Sequence, residues 1–220
     1  MGSDPIDALS TPALSATRIE GAAAGARARR PWRIALAGAF CMLLVLTQLP
    51  AAAADEPRLW DALRSGQHLV LLRHAIAPGT DDPPEFQLGD CSSQRNLSED
   101  GRIQAAAIGD RFRANGIETA RVFSSQWCRC LDTARLLGLG EVSELPALNS
   151  FFRHPERQRQ QTQALTAWLD GQPLDQPLVL VTHQVNITAL TGVYPASGEL
   201  VVVRRMPNGE LKPVGTLETD

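Results

Sequence analysis

The chain has 220 residues, 44% of them hydrophobic and 20% charged, which is enough apolar mass for one α/β domain with its own core. A formal net charge of −3 argues against a nucleic-acid binder, because such proteins carry a basic excess. Among the 21 basic residues only Lys212 is a lysine; arginine holds its charge and grips phosphate in a fork, although the same bias also follows from coding composition.

Residues 1–54 differ in kind from the rest. "MGSDPIDALSTPALSATRIEGAAAGA" is small, polar and aperiodic, the composition of a disordered extension. "RARRPWR" then supplies a basic n-region, "IALAGAFCMLLVLTQL" a 16-residue apolar run, and "PAAAADEP" the small residues of a cleavage site. With Ala52 and Ala54 at the −3 and −1 places, the mature chain starts at Asp55. The apolar run is short for a full membrane crossing. The expectation is a cleaved signal peptide, no stable membrane span in the mature form and a periplasmic or secreted location; an uncleaved anchor is the alternative. In that compartment a disulfide persists. Cys91, Cys128 and Cys130 remain, and Cys128 and Cys130 point to different faces of a helix, so at most one of them suits Cys91. Free, buried cysteines are the other reading. C-x-C with one distant cysteine is not a zinc pattern.

In the domain expected over 55–220, "EPRLWDALRSG" (56–66) has the spacing of a short amphipathic helix ended by Gly66. "QHLVLLR" is a continuous apolar strand of the kind buried on both faces of a parallel sheet. Residues 74–97 form a long loop with Pro78, Gly79, Pro83, Pro84 and Gly89, and loops of that length in a small domain usually carry function. Ser98 is an N-cap for a helix to about Ala114, stopped by Asn115-Gly116. "ARVFSS" (120–125) is a second strand, and "WCRCLDTARLLGLG" a helix with Trp127, Leu131, Ala134 and Leu137 on its inner stripe. "EVSELPAL" holds a third strand, "RQRQQTQALTAWLD" a helix, "PLVLVTH" (177–183) a fully apolar strand, and "QVNITALTG" a helix ending at Gly192. "ELVVVRR" and "LKPVGTL" are late strands, paired as a hairpin about Pro207-Asn208-Gly209. Alternating strands and helices predict a layered α/β fold with a mostly parallel central sheet, whose ligands bind at the carboxyl ends of its strands.

Three apolar strands end in polar residues: Arg73-His74, Ser124-Ser125 and Thr182-His183. Singly, a histidine at a strand tip is an ordinary structural feature. Two such histidines suggest metal ligands, but a metal site wants further histidines, cysteines or carboxylates. The neighbours here are Arg73 and Arg129, which repel a cation and attract phosphate through bidentate hydrogen bonds. The set describes a phosphoryl pocket, with backbone N–H groups at a following helix N-terminus expected to face the anion.

"LVLLRHAIAPG", "FSSQWCRCLDTARLL" and "LVLVTHQVNITALTG" resemble, in order and spacing, the signature segments of the histidine phosphatase superfamily, the phosphoglycerate mutase-like branch. "QRNLSEDGRIQAAAIG" is similar to that family's L-[ST]-x-x-G-x-x-Q-A helix, and the resemblance spans roughly residues 67–192. It implies a phosphoglycerate mutase-like three-layer sandwich and a phosphate-ester hydrolase without metal or other cofactor. His74 would be the nucleophile that forms a phosphohistidine. Arg73, Arg129 and His183 would bind the non-bridging oxygens, with Arg95 a further phosphate ligand; a solvent-exposed loop arginine is its other reading. The general acid is missing from its usual places, where Ser150 and Gln184 stand. A donor from the long loop (Asp81, Asp82, Glu85 or Asp90) or a weakened enzyme are the alternatives. "NSFFRHPERQR" (149–159) either covers the pocket, with Phe151 and Phe152 as walls and Arg153 and His154 on the substrate, or only leads into the next helix. The expected function is an exported phosphomonoesterase acting on a phosphorylated small molecule or glycan, such as an envelope phospho-sugar. A phosphoryl-ligand binder and a protein-phosphohistidine phosphatase are the alternatives.

Overall fold

A computed structural model describes residues 51–219. The expected extension and the n- and h-regions of the signal peptide lie outside the described residues. The first helix, α1 (Ala51–Arg64), begins ahead of Asp55, because the alanines before it are the strongest helix formers and extend the expected segment. Strand β1 (His68–Arg73) follows, and then the long loop, which contains a short 3₁₀ turn at Cys91–Ser93. Next come α2 (Glu99–Ala114), β2 (Arg121–Ser124), α3 (Cys128–Leu136) and β3 (Val142–Glu144). After 3₁₀ turns at Pro146–Leu148 and Pro155–Arg157, the chain forms α4 (Gln158–Asp170), β4 (Leu178–Thr182), α5 (Gln184–Thr191), β5 (Leu200–Arg205) and β6 (Leu211–Leu217).

The strands lie in the order β3-β2-β4-β1-β5-β6. The first four are mutually parallel, whereas β5 and β6 run antiparallel. The sheet is therefore mostly parallel, as expected, and mixed only at the edge, where β5 runs against both of its neighbours. The apolar run Leu200–Val203 is fully buried and reads like a parallel strand, but the tight turn after it returns the chain at once. In that turn the Met206 N–H donates to the Glu210 carbonyl and Gly209 takes a left-handed φ of +80°.

Period-two alternation divides the core into two layers. Val70, Leu72, Val179 and Val181 face α1, α2 and α3, packing with Trp60, Phe112 and Leu137. Leu69, Leu71, Leu178 and Leu180 face α4 and α5, packing with Leu165, Leu169 and Ile187. The result is a three-layer α/β sandwich with α1–α3 on one face and α4–α5 on the other. The Ser98 side chain caps α2 by accepting from the Gly101 N–H at 3.0 Å. Gly101 sits so close to the loop after β1 that a Cβ there would fall 2.0 Å from the Ile76 carbonyl oxygen. Gln104, one turn on, accepts from the Ile76 N–H at 3.1 Å. The L-S-x-x-G-x-x-Q segment thus fixes the chain just beyond His74.

Candidate active site

Sheet order explains why the three polar strand tips meet: β2, β4 and β1 are adjacent and parallel. Arg73 pairs with Thr182 in register, so the next residues, His74 and His183, are neighbours. Their rings lie 5.5 Å apart, edge to face at 69°. Ser125 continues β2, its N–H donating to the Val181 carbonyl, and α3 then delivers Arg129.

Both histidines are almost fully buried, at 2% and 4% exposure. His74 Nδ1 lies 2.8 Å from the Ala75 carbonyl oxygen, which only accepts, so Nδ1 carries the proton and Nε2 keeps its lone pair. The Thr133 hydroxyl donates to the Arg129 carbonyl at 2.7 Å and accepts from the Ala75 N–H at 3.0 Å, tying the helix that carries Arg129 to the residue that orients His74. Burial first, then Arg129, pushes the His74 pKa well below the free imidazole value. Burial and Arg129 lower His183 likewise, with His74 next in order. Each ring is therefore neutral at neutral pH. His183 Nε2 lies 2.9 Å from Ser125 Oγ, whose own hydroxyl donates to Asn149 Oδ1 at 3.3 Å. His183 thus donates from Nε2, and its Nδ1 faces the Arg129 guanidinium at 3.5 Å.

Three arginines converge on the same cavity of about 470 Å³, which is lined by Arg73, His74, Arg95, Arg129 and His183 at its inner end. Each is partly held by the protein. Arg73 donates to the Pro195 carbonyl at 2.9 Å, and Arg95 to the Ala77 and Gly79 carbonyls at 2.6 and 3.1 Å. Arg129 pairs with Asp82 at 2.8 Å. Yet the Nε–H groups of Arg73, Arg95 and Arg129 are all buried without a protein partner. Buried donors of this strength are otherwise paired, and three cationic ones beside two neutral imidazoles define an anion-binding pocket at the carboxyl edge of an α/β sheet.

Asp82 is the residue whose role the sequence did not disclose. It accepts from Arg129 Nη1 at 2.8 Å, from Trp127 Nε1 at 3.0 Å and from the Arg95 N–H at 3.0 Å. Burial alone would raise its pKa, but Arg129, the Arg95 N–H and Trp127 hold it below the usual carboxylate range. It is a fixed counterion, not a proton donor. Asp81 lines the cavity too, but forms an ion pair with Arg153 at 2.8 Å. Asp90 caps the 3₁₀ turn by accepting from Ser92, and neither it nor Glu85 lines the cavity. The long loop therefore contributes a counterion rather than a free acid.

One further expectation is corrected, and one open alternative is decided. The N–H groups at the start of α3 do not face the anion pocket, because side chains take them: Gln126 N–H donates to Asn149 Oδ1, Trp127 N–H to Ser125 Oγ and Cys128 N–H to Gln94 Oε1. The segment 149–159 does form the outer wall. Ser150, Phe152, Arg153, His154 and Arg157 all line the cavity, while Phe151 is buried beneath. Arg153 also donates to the Asp82 carbonyl and stacks over Phe86. Cys91 and Cys128 form a disulfide with their Cα atoms 5.6 Å apart, stapling the long loop to the start of α3. Cys130 stays free and buried 3.5 Å from His183 Nε2, its pKa pushed up to about 12 by burial, so it is an inert thiol.

A neutral, oriented imidazole beside three guanidinium groups with buried, unpartnered Nε–H donors suits the binding of an anion such as phosphate. Residues 69–154 match the family model of the histidine phosphatase superfamily (branch 1). The mitochondrial serine/threonine-protein phosphatase Pgam5 of Drosophila virilis is 30% identical over 74 residues, 34% of this chain and 23% of that protein, so the match spans less than a quarter of the relative's length. Among solved structures, open reading frame Rv3214 from Mycobacterium tuberculosis superposes with a TM-score of 0.51 at 15% identity, covering 67% of this chain and 95% of that one. The protein histidine phosphatase SixA complexed with tungstate gives 0.50 at 14% identity, over 69% and 97%. Mycobacterial glucosyl-3-phosphoglycerate phosphatase Rv2419c with inorganic phosphate gives 0.50 at 17% identity, over 70% and 97%. At these identities the structural likeness is one of fold.

Proposed function

We propose that the chain is an exported, metal-independent phosphomonoesterase that works through a phosphohistidine at His74. The observation that carries this reading is the trio of buried, unpartnered Nε–H groups on Arg73, Arg95 and Arg129, three arginines that line one cavity with His74, whose Nε2 keeps its lone pair. The non-bridging oxygens of a phosphomonoester accept from these arginines, which offset the charge of the transition state. His74 Nε2 forms a bond to phosphorus as the ester P–O bond breaks and the alcohol departs. Water then attacks the phosphorus, the P–N bond breaks and inorganic phosphate leaves. Burial and then Arg129 keep His183 neutral in the free protein; a bound dianion counters both, so His183 takes up a proton from water on Nδ1 and donates a hydrogen bond through it to a non-bridging oxygen. The arginines occupy the role that a divalent cation has in metal-dependent phosphatases, and their charge opposes binding one.

Export is supported by the n-region, apolar run and small-residue site ahead of Asp55. An envelope phospho-sugar is supported by the cavity mouth, where the exposed faces of Phe152 and Tyr194 offer stacking surfaces for a ring. The reading as a phosphoryl-ligand binder with weak turnover draws on one observation: both cavity carboxylates are committed to arginines. Hydrolysis of p-nitrophenyl phosphate by the purified protein and by its His74→Ala variant separates the two. Turnover that depends on His74 supports the phosphatase, and equal rates in both proteins sink the mechanism.

A further inference from the structure

We propose that His154, held by Glu156, is the acid that protonates the leaving oxygen when His74 takes the phosphoryl group; the inference rests on the phosphohistidine reading above. A leaving alkoxide or phenoxide needs a proton, yet Ser150 and Gln184 at the cavity wall are far too weak as acids, and Asp81 and Asp82 are tied to Arg153 and Arg129. The segment that bears Ser150 supplies another group. The His154 N–H donates to the Phe151 carbonyl at 2.8 Å, which turns the chain and lays His154 along the same cavity. Its Nδ1 lies 3.0 Å from Glu156 Oε1. The Glu156 carboxyl is held below its usual range by its own backbone N–H and by His154. An ionised carboxylate only accepts, so the Nδ1 proton is fixed and Nε2 is the nitrogen that gives and regains the second one. The His154 side chain is half exposed, so water reaches it to restore that proton.

The step balances. In the first half, His74 Nε2 bonds to phosphorus, the P–O ester bond breaks, and the proton on His154 Nε2 passes to the departing oxygen, giving a neutral alcohol. In the second, His154 Nε2 takes a proton from the attacking water as the new O–P bond forms and the P–N bond breaks. Phosphate leaves and both histidines return to their starting states.

The test compares kcat/KM on phenyl phosphate, whose leaving oxygen needs a proton, with that on 2,4-dinitrophenyl phosphate, whose leaving oxygen does not. His154→Gln should lose about 10²-fold or more on phenyl phosphate and less than about three-fold on the dinitrophenyl ester. Glu156→Gln should show the same pattern more weakly, and His74→Ala should lose activity on both. A merely structural role for His154 lowers both substrates together, and that result, or no loss on either, overturns this inference alone. Activity that survives in His74→Ala overturns the phosphohistidine reading and this inference with it.

Discussion

Replacing Asp82 by asparagine tests whether this loop carboxylate holds the pocket together or donates a proton. The Asp82 and Arg129 side chains are 6% and 4% exposed and meet at 2.8 Å. Removing one partner of a buried ion pair costs about 3–5 kcal/mol. Asparagine keeps an oxygen for Trp127 Nε1 or the Arg95 N–H, and Arg129 still meets solvent through the cavity, so about 2–3 kcal/mol is expected here. In a domain of this size that lowers Tm by roughly 5–10 °C. The folded-state pKa of Asp82 is depressed, so its contribution is present above the unfolded carboxyl pKa and is lost as pH falls through the folded value. The gap between wild type and Asp82→Asn should therefore be full at pH 7 and close in acid, below the ordinary carboxylate range. Thermal unfolding followed by circular dichroism across that range, with kcat/KM on phenyl and dinitrophenyl phosphates beside it, reads both effects. An unchanged Tm with activity lost only on the poorer leaving group would refute the counterion role and make Asp82 the acid.

Two further outcomes follow from the same geometry. The Cys91–Cys128 bridge joins residues 37 apart in sequence, so replacing both cysteines by serine should cost about 4 kcal/mol in urea unfolding by the chain-entropy relation. It should also lower kcat/KM, since the bridged loop carries Asp82 and Arg95; unchanged stability and rate would contradict this. Gly101→Ala drives a Cβ into the Ile76 carbonyl, so it should destabilise by about 1–3 kcal/mol or more and displace the loop after His74. A neutral effect in urea titration would show that this close approach is not real.

Much of the site was legible in the sequence because apolar strands announce their own ends. Leu69–Leu72 and Leu178–Val181 are buried on both faces, and a polar residue straight after such a run has to emerge at the sheet edge. Once the strands are parallel and adjacent, Arg73, His74, Ser125 and His183 fall together without further information. Arg129 follows because a helix starts four residues beyond Ser124. Asp82 was not legible, since a loop residue has no periodicity and its three donors come from Arg95, Trp127 and Arg129, up to 47 positions away. The disulfide was half legible: helical geometry allowed one partner for Cys91, but only the fold shows Cys128 facing the loop while Cys130 turns toward Thr182 and His183. The β5–β6 hairpin was legible from its turn, but the antiparallel pairing of β5 with β1 was hidden for a related reason, because burial on both faces imprints the same apolar run whichever way a strand points.

The central claim is that His74 Nε2 carries the phosphoryl group. Rapid mixing of the protein with ³²P-labelled phosphomonoester, followed by an alkaline quench, measures this directly. Label should stay on the protein in base, be lost in acid, map to His74 and be absent from His74→Ala. Label that persists in His74→Ala, or turnover by the wild-type protein with no label trapped on His74 at any time, would contradict the account.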